Sequence, residues 1–395
     1  MAETYPGPWL RLTALGASAA TLLAVVSGAA GLDTAHRLLA ALALPPLAAL
    51  LVATWTSHRS LFTPVVVATF LFGVAALVTA PGVHLALAAL AFAGTLVVTG
   101  LVHRPAVAPF GRARDYLTLT KPRIMSLLLV TGFCGMVAGA HGFPRASVAV
   151  GAMVGLALAC GGASAINHVL DRDIDRLMGE RTRRRPVAAD RVPPAYALEF
   201  GLALMACSFA LLASVVNVLT ATLALVGGLF YVLVYTRWLK RTTPQNIVIG
   251  GAAGAVPPLV GWAAATGSLA WPALALFLIV FLWTPPHFWA LALLIKRDYE
   301  AARIPMLPVV RGDRETTRQI LLYSFALVAL TVVPYAAGWF GAVYLAAALV
   351  LGGIFVWMAV RLRRDLTPRR AGALFHYSLL YLALLFAAAA VGSVV

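Results

Sequence analysis

Three polar side chains that can bind a metal ion follow one of the long apolar stretches of this sequence. Asn167, Asp171 and Asp175 come directly after the apolar run 146–166 and are spaced four residues apart. If the helix continues beyond the apolar run, these side chains project from one face, and Asp173 points the other way. Oxygen ligands on a rigid helix suit Mg2+, which binds one or two carboxylates while a substrate phosphate completes its coordination shell. The spacing therefore predicts a metal and diphosphate site where a helix leaves the apolar layer.

A block of arginines follows the aspartates and supplies the opposite charge. Arg181, Arg184 and Arg185 carry forked donors that match phosphate oxygens, so the stretch contains both halves of a diphosphate site. Carboxylates at the edge of a hydrocarbon layer are costly, and they mark a functional site by default. The alternative is that the acids and bases pair with one another in a solvated loop. The sequence leaves both interpretations open.

Two further polar loops lie between later apolar runs. The first contains Lys240 and Arg241 in a compact basic turn that can contact a phosphate. The second, 296–308, contains an acidic pair, Asp298 and Glu300, at the end of an apolar run. Two acidic clusters at equivalent helix ends can hold two metal ions on one diphosphate. We therefore expect these loops and the aspartate stretch to lie on one side of the protein.

The run 283–289, Trp-Thr-Pro-Pro-His-Phe-Trp, lies inside an apolar stretch. Because proline has no N–H, Pro285 and Pro286 predict an interruption of the helix, which lipid tolerates only where protein or a cavity encloses the backbone. Aromatic rings beside an apolar cavity can stabilise a carbocation. His287 can hydrogen bond, act as a base or approach a haem iron, and we count it among the candidate catalytic residues. The alternative is an ordinary interior histidine.

The composition excludes a soluble globular domain. The chain has 395 residues, of which 62% are hydrophobic and 11% are charged. Continuous apolar runs of about twenty residues recur, as membrane-spanning helices require, whereas a β-barrel would show shorter alternating segments. The three cysteines lie inside apolar runs without metal-binding spacing, which argues against a disulfide framework or a zinc site. The sequence therefore predicts an all-α, multi-pass protein of the cell membrane.

The net charge of +16 is concentrated in a few loops. Of the 30 Lys and Arg residues, 26 fall in five stretches that alternate with connections nearly free of positive charge. This is the positive-inside pattern, which predicts that the basic loops, including the candidate site, face the cytoplasm. A nucleic-acid partner, which such a charge would suggest in a soluble protein, is not expected. The five stretches are 104–123, 172–191, 237–241, 296–318 and 361–370.

The apolar runs divide into two groups at a polar, proline-bearing stretch, 102–120. Four runs precede this stretch and nine follow it. We therefore predict a four-helix transmembrane unit over residues 1–105 and a nine-helix domain over residues 106–395. The first four runs are 10–31, 38–55, 62–80 and 85–101, and the later nine are 124–139, 146–166, 196–215, 219–235, 247–265, 271–295, 320–337, 343–360 and 374–391.

Histidines lie near the ends of the first four apolar runs, at His36, His58, His84 and His103. Neutral imidazole is a ligand of haem iron. The arrangement faintly resembles one four-helix half of the haem A synthase family, in which histidines near helix ends hold haem. The alternative is that these histidines lie at headgroup depth and the unit serves packing or assembly without a ligand. The sequence leaves both roles open.

The chain from about Tyr116 to its C-terminus resembles the UbiA superfamily of intramembrane prenyltransferases, and within it the protohaem IX farnesyltransferase family. The aspartate motif is typical of the superfamily, and the Pro-Pro-His-Phe-Trp and Pro-Met-Leu-Pro runs are typical of the haem-modifying branch. The resemblance implies nine transmembrane helices around a central cavity, with Mg2+ and farnesyl diphosphate at its cytoplasmic end. The matching stretches are 119–123, 167–175 with 181–186, 235–241, 284–289 and 298–308.

The same resemblance implies roles for individual residues. Asn167, Asp171 and Asp175 would form the first metal and diphosphate motif. Asp298 would belong to the second acidic motif. The implied metal ligands are Asp171, Asp175 and Asp298. The family usually has two adjacent aspartates before the tyrosine, but this chain has Arg297 at the first place, so the ligands of a second Mg2+ stay open. The candidate diphosphate-binding residues are Lys121, Arg123, Arg181, Arg184, Arg185, Tyr235, Lys240, Arg241 and Tyr299.

The activity implied by the resemblance is transfer of a farnesyl group from farnesyl diphosphate to a vinyl group of haem b, with hydration, to give haem O for terminal oxidases. A haem A synthase or a terminal-oxidase assembly factor is the implied partner. Another prenyl acceptor, such as a quinone precursor or chlorophyllide, would use the same diphosphate site. A transporter or a haem-handling scaffold without turnover is the alternative from another class, and paired broken helices would favour it.

Overall fold

The computed structural model describes residues 8–29, 33–57, a set of positions between 65 and 99, and 112–394. These residues form helices joined by short connections, and they contain no strand. Ten of the helices are long and apolar enough to cross a membrane. The predicted all-α, multi-pass architecture is confirmed.

Each of the nine apolar runs predicted after residue 106 is part of a membrane-length helix. Short helices at one end of the bundle connect several of them and carry many of the candidate site residues. In chain order the helices are α1 Pro8–Ala29, α2 Asp33–Ser57, α3 Ala113–Leu119, α4 Pro122–Ala140, α5 Ala146–Leu170, α6 Arg172–Leu177, α7 Glu180–Arg183, α8 Pro194–Val215, α9 Val218–Leu229, α10 Lys240–Thr242, α11 Asn246–Thr266, α12 Trp271–Leu294, α13 Lys296–Ala301, α14 Leu307–Val310, α15 Gly312–Ala336, α16 Ala342–Arg364 and α17 Pro368–Gly392.

The N-terminal spans share a hydrophobic core of their own. Besides α1 and α2, the described positions within 65–75 and 84–99 are helical. Leu10, Leu47, Phe72 and Val98, one from each predicted run, belong to one buried cluster. The hydroxyls of Ser18 and Thr99, 2.8 Å apart, link the first run to the fourth. His58 and His103 lie outside the described residues.

Glycines let the central helices approach one another closely. At Gly162 of α5, an added Cβ would lie 2.6 Å from the carbonyl oxygen of Gly201 in α8. At Gly261 of α11, an added Cβ would lie 1.8 Å from the carbonyl oxygen of Gly132 in α4. In lipid, apolar side chains gain little by moving from the bilayer into a helix interface. Helices therefore associate by close backbone packing at small residues. These two crossings hold α5, which leads into the aspartates, and α4, which follows Lys121, against the bundle.

The predicted interruption at Pro285 and Pro286 is wrong, because α12 continues through both residues. Two prolines remove two N–H donors, but the helix is packed on several sides by α11, α15 and α17, which hold it in place. A second pair, Pro257 and Pro258, also lies inside an unbroken helix, α11. Among the described spans, the paired prolines therefore do not produce broken helices.

The fourth span after residue 106 changes its winding as it approaches the polar end. The α-helix α9 is capped by Asn217, whose side chain accepts a hydrogen bond from the backbone N–H of Thr220. From Phe230 to Leu239 the chain forms a π-helix, and α10 follows directly. A π-helical turn is rare and frequently occurs at functional sites. This segment carries Tyr235, and it leads into Lys240.

Candidate active site

The aspartate motif keeps its predicted stacking even though α5 ends at Leu170. The backbone N–H of Asp171 donates to the Asn167 carbonyl at 2.9 Å, and that of Asp175 donates to the Asp171 carbonyl at 2.7 Å. The helical turn therefore continues from α5 into α6. Asn167, Asp171 and Asp175 are 2%, 1% and 0% exposed, whereas Asp173 is exposed on the other face. The predicted arrangement on one face is confirmed, and the structure shows in addition that this face is buried.

Asn167 connects three elements of the site through its side-chain amide. Its Oδ1 accepts a hydrogen bond from Lys121 Nζ at 2.7 Å, and its Nδ2 donates to Asp171 Oδ2 at 2.8 Å and to Thr236 Oγ1 at 3.0 Å. Asp171 Oδ2 also accepts from Lys240 Nζ at 2.6 Å. The loop before α4, the end of α5 and the π-helical segment thus meet at one amide.

The carboxylates of Asp171 and Asp175 each use only one oxygen. Asp175 Oδ1 accepts from Arg185 at 2.7 Å, but Asp175 Oδ2 and Asp171 Oδ1 are enclosed without a hydrogen-bond partner. Unpaired buried oxygens are costly, and hard oxygen ligands of this kind suit Mg2+. Within the described residues no group of three or more His, Cys, Asp or Glu side chains forms a cage. Two carboxylates with an open side fit Mg2+ that is completed by substrate phosphate.

The electrostatics of the site favour an anionic ligand beside a cation. Burial, followed by Arg185, lowers the pKa of Lys121 to about 7, while Asp171 opposes this shift. Burial raises the pKa of the Asp175 carboxyl, although Arg185 acts in the opposite direction. Both groups are therefore held in surroundings that disfavour their charged forms. A diphosphate would compensate Lys121, and a metal ion would compensate the carboxylates.

The second acidic loop contacts the first. The carboxylate of Asp298 lies so close to Gly179 that an added Cβ there would be 2.5 Å from its Oδ2. The neighbouring Tyr299 is buried, and burial raises the pKa of its hydroxyl. Glu300 is instead exposed, and its carboxylate lies 4.0 Å from Lys296 Nζ. It therefore does not compensate for the family's aspartate, whose place Arg297 takes in this chain. The structure thus brings one acid of the second loop to the site.

The candidate basic residues divide into those that reach the aspartates and those that do not. Arg185 and Lys240 reach them directly, and Lys121 does so through Asn167. Arg241 donates two hydrogen bonds of 2.7 Å to the two carboxylate oxygens of Asp173 on the outer face. Arg184 pairs with Glu180 on the surface. Arg123 and Arg181 are exposed, and neither side chain has a hydrogen bond or ion pair with the described residues.

Ion pairs hold the arginine loop in place, although the sequence did not show which acids take part. Arg172 and Arg176 both donate to Asp190, at 2.6 and 2.5 Å, and Arg191 donates to Asp115 of α3 at 2.8 Å. The solvated-loop interpretation therefore holds for these outer charges. It fails for the inner ones, because the pairs of Asp171 and Asp175 are buried.

Two buried side chains of the site were missed from the sequence. Thr236 binds Asn167, and His168 is 2% exposed with neither ring nitrogen hydrogen-bonded. A threonine next to the predicted Tyr235 carried no distinguishing pattern. His168 directly follows Asn167, but only the helix geometry shows that it is buried as well.

Aromatic side chains extend the site into the bundle. Tyr235 stacks on Tyr231 with ring centroids 5.6 Å apart, and its ring packs against the backbone of Gly250. His287 lies on α12, where its ring stacks on Trp283. The polar end with its carboxylates thus borders an interior of aromatic and aliphatic side chains.

The fold and the site define an intramembrane prenyltransferase of the UbiA type. The sequence profile of the UbiA prenyltransferase family matches residues 128–389, and the chain belongs to this family. A UbiA homolog from Archaeoglobus fulgidus, solved bound to GPP and Mg2+, has the same fold with a TM-score of 0.52. That similarity covers 69% of this chain and 99% of the other, at 19% sequence identity.

Two relatives with higher sequence identity are named for the same activity. Protoheme IX farnesyltransferase of Symbiobacterium thermophilum is 56% identical, over 70% of this chain and 92% of its own length. Protoheme IX farnesyltransferase of Roseiflexus sp. (strain RS-1) is 46% identical, over 94% of this chain and 77% of its own length. The second similarity extends into the N-terminal spans, so these spans also occur in a relative.

Proposed function

We propose that this protein transfers the farnesyl group of farnesyl diphosphate to a vinyl group of protohaem IX, with addition of water, to give haem O and diphosphate. The observation that carries the proposal is the pair of buried carboxylates, Asp171 and Asp175, each with one unpaired oxygen among three basic side chains. The names of relatives that are 46% and 56% identical support protohaem as the acceptor.

Held by Asp171 and Asp175, Mg2+ would supply charge stabilisation to the departing diphosphate, and Asp298, which lies against Gly179, stays a candidate for a further ligand. Lys121, Lys240 and Arg185 would neutralise further oxygens of the same leaving group. As the C–O bond of farnesyl diphosphate breaks, its electron pair remains on diphosphate, and an allylic cation is left in the apolar interior, which excludes water. Most of the protein's contribution is then positioning and charge stabilisation.

The terminal carbon of the haem vinyl group would attack this cation and form the new C–C bond. The positive charge then moves to the carbon next to the porphyrin ring. Water adds there and releases a proton, which gives the hydroxyethylfarnesyl group. Aromatic rings of the fourth span after residue 106, such as Tyr231 and Tyr235, present π faces that would favour the cationic stage.

Another prenyl acceptor would use the same carboxylates, so the diphosphate site alone does not select haem. Protohaem is favoured because the relatives that carry its name are similar over most of this chain. The transport alternative gains no support, since the spans with paired prolines are unbroken in the described part of the chain. The product would be consumed by an oxidative step on the haem, so a haem A synthase or a terminal-oxidase assembly factor is the partner that we propose.

Substitution of a metal-binding carboxylate tests the activity. Membranes that contain the Asp171→Asn variant, supplied with haem b and farnesyl diphosphate, should form haem O at least 100-fold more slowly than wild type. Asp173→Asn is the matched control, because Asp173 lies on the outer face and pairs with Arg241. Mass spectrometry of the extracted haem measures the product. Equal haem O formation by wild type and Asp171→Asn would contradict the proposal.

We also propose that residues 1–105 form a separate unit that binds a haem iron through His36 and His84. The two Nε2 atoms lie 3.0 Å apart, while His36 Nδ1 lies 2.8 Å from the Ala24 carbonyl and His84 Nδ1 lies 2.6 Å from the Ala75 carbonyl. A carbonyl oxygen only accepts, so both Nδ1 atoms carry a proton and both Nε2 lone pairs face each other. A proton shared between the two Nε2 atoms fits this distance, and a haem iron would fit if the rings moved about 1 Å further apart, because each metal–nitrogen bond is about 2 Å long. An Nδ1 bond to a carbonyl is typical of metal-binding histidine.

The rival role is a packing or assembly unit, in which the two histidines share a proton. The full-length His36→Ala, His84→Ala double variant should lose the absorption bands of one histidine-ligated haem per chain when ferric haem b is added. His141→Ala, at an exposed position after α4, is the control. If the double variant and wild type bind the same amount of haem with the same spectrum, the unit serves packing instead.

A further inference from the structure

Helices α12 and α17 are joined at the middle of the bundle by one serine. Ser378 Oγ lies 2.6 Å from His287 Nδ1 and donates to the Phe375 carbonyl at 2.6 Å. The backbone carbonyl of Ser378 accepts a hydrogen bond from Trp283 Nε1 at 2.8 Å. Ser378 is fully buried, so these are lasting contacts of the interior. The backbone carbonyl of Ser378 therefore holds the Trp283 ring, and its hydroxyl holds the His287 ring.

These contacts determine which nitrogen of His287 carries the proton. A serine hydroxyl has one proton, and Ser378 gives it to the Phe375 carbonyl, which only accepts. The short contact between Ser378 Oγ and His287 Nδ1 is then a hydrogen bond in which Nδ1–H donates. In the neutral ring the lone pair consequently lies on Nε2. This atom has no hydrogen-bond partner among the described residues, and it is not fully enclosed.

The ring of His287 is also covered on both faces. Trp283 stacks on it with centroids 4.2 Å apart and planes inclined by 15°, and Phe375 stacks with centroids 4.9 Å apart and planes inclined by 23°. The stacked rings prevent rotation and block approach to either face. The remaining open direction lies along the Nε2 lone pair, in the plane of the ring.

We propose that His287 Nε2 binds the iron of the haem substrate, and that Ser378 is the positioning residue that sets its tautomer and orientation. The inference rests on the proposed function for the identity of the substrate. Neutral histidine whose other nitrogen donates a hydrogen bond is the usual form of this ligand. His287 lies in α12, eleven residues before Asp298 in α13, which separates the iron from the diphosphate end.

The test uses full-length protein in a His36→Ala, His84→Ala background, so that the N-terminal pair does not contribute to the spectra. Ferric haem b is titrated into the background protein and into proteins that also carry His287→Ala, Ser378→Ala or Ser324→Ala. Ser324 is a buried serine that bonds only within its own helix, and it is the matched control. Binding of farnesyl diphosphate with Mg2+ is measured in each variant to show that it is folded.

The background protein and Ser324→Ala should show the same histidine-ligated spectrum. His287→Ala should lose this signature and recover a nitrogen-ligated spectrum when imidazole is added. Ser378→Ala should bind haem about tenfold more weakly, with a shifted iron–histidine vibration in the reduced state. A purely structural role of Ser378 would not change that vibration.

The iron-ligand assignment is overturned if His287→Ala keeps the ligated spectrum, or if the background protein binds haem without a histidine signature. An unshifted vibration in Ser378→Ala overturns the positioning role. Failure of the proposed function looks different: the haem would be ligated through His287, but no farnesylated haem would form when farnesyl diphosphate and Mg2+ are supplied.

Discussion

At the scale of single residues, the site is a set of buried charges that are only partly compensated. Asp171 and Asp175 each hold one basic partner and leave one oxygen open. The sequence predicted these two carboxylates and the asparagine before them. It did not separate the basic residues that reach them from those that do not, because Arg184 and Arg185 are adjacent in the chain and end in different surroundings. Which arginine pairs with a site aspartate depends on how the loop packs against the helices.

The adjacent residues Lys240 and Arg241 allow the cost of an uncompensated buried charge to be measured. Lys240→Met leaves the Asp171 carboxylate buried without its cation, and we expect the free energy of unfolding to fall by about 3 kcal/mol. Arg241→Met removes a pair whose aspartate is 65% exposed, so the loss should stay below about 1 kcal/mol. Thermal unfolding in detergent compares the two variants. Equal losses would contradict the view that Asp171 is a buried charge that depends on Lys240.

At the scale of elements, glycine crossings and a change of helix type position the site. Helix α5 reaches α8 through Gly162 and Gly201, and the π-helical segment turns Thr236 and Lys240 toward α5. The apolar runs predicted where the spans lie, but a run of apolar residues does not show which helices touch. The predicted break at Pro285 and Pro286 failed for a related reason: the packing of neighbouring helices outweighs the loss of two hydrogen bonds.

Adding one methyl group at a crossing tests this packing. In Gly162→Ala the new Cβ would meet backbone atoms of α8, so the two helices must separate, at a cost of about 2 kcal/mol in unfolding free energy. Gly353→Ala in α16 is the matched control, because a Cβ there meets nothing within 4 Å. Thermal unfolding in detergent should show a lower midpoint for the first variant and an unchanged or higher one for the second. A midpoint as high in Gly162→Ala as in wild type would disprove the close crossing.

At the scale of the whole molecule, the polar loops gather at one end of the nine-helix bundle. The aspartate loop, the end of the π-helical segment and the loop with Asp298 meet there through Lys240 and Gly179. Their common side follows from the number of spans between them, which the apolar runs already predicted. The side of the membrane on which this end lies rests on the charge distribution, and it stays a prediction.

Labelling at the two ends of α11 tests that orientation. Gln245 precedes this helix and Ser268 follows it, and both are exposed. In intact cells a membrane-impermeant maleimide should label Ser268→Cys and leave Gln245→Cys unlabelled, since the positive-inside pattern places residue 245 in the cytoplasm. Permeabilised cells, in which both variants react, provide the control. Labelling of only Gln245→Cys in intact cells would reverse the orientation and place the site outside.

The class of architecture, the spans and the acidic motif of this protein could be predicted from the amino-acid sequence alone. These depend on local properties: lipid requires about twenty apolar residues per helix, and a spacing of four residues places side chains on one face. Three contacts became visible only in the folded protein: the cations that meet the carboxylates, Asp298 against Gly179, and Ser378 Oγ beside His287 Nδ1. Those contacts join residues far apart in the chain, so they depend on how the helices pack, which no local pattern encodes.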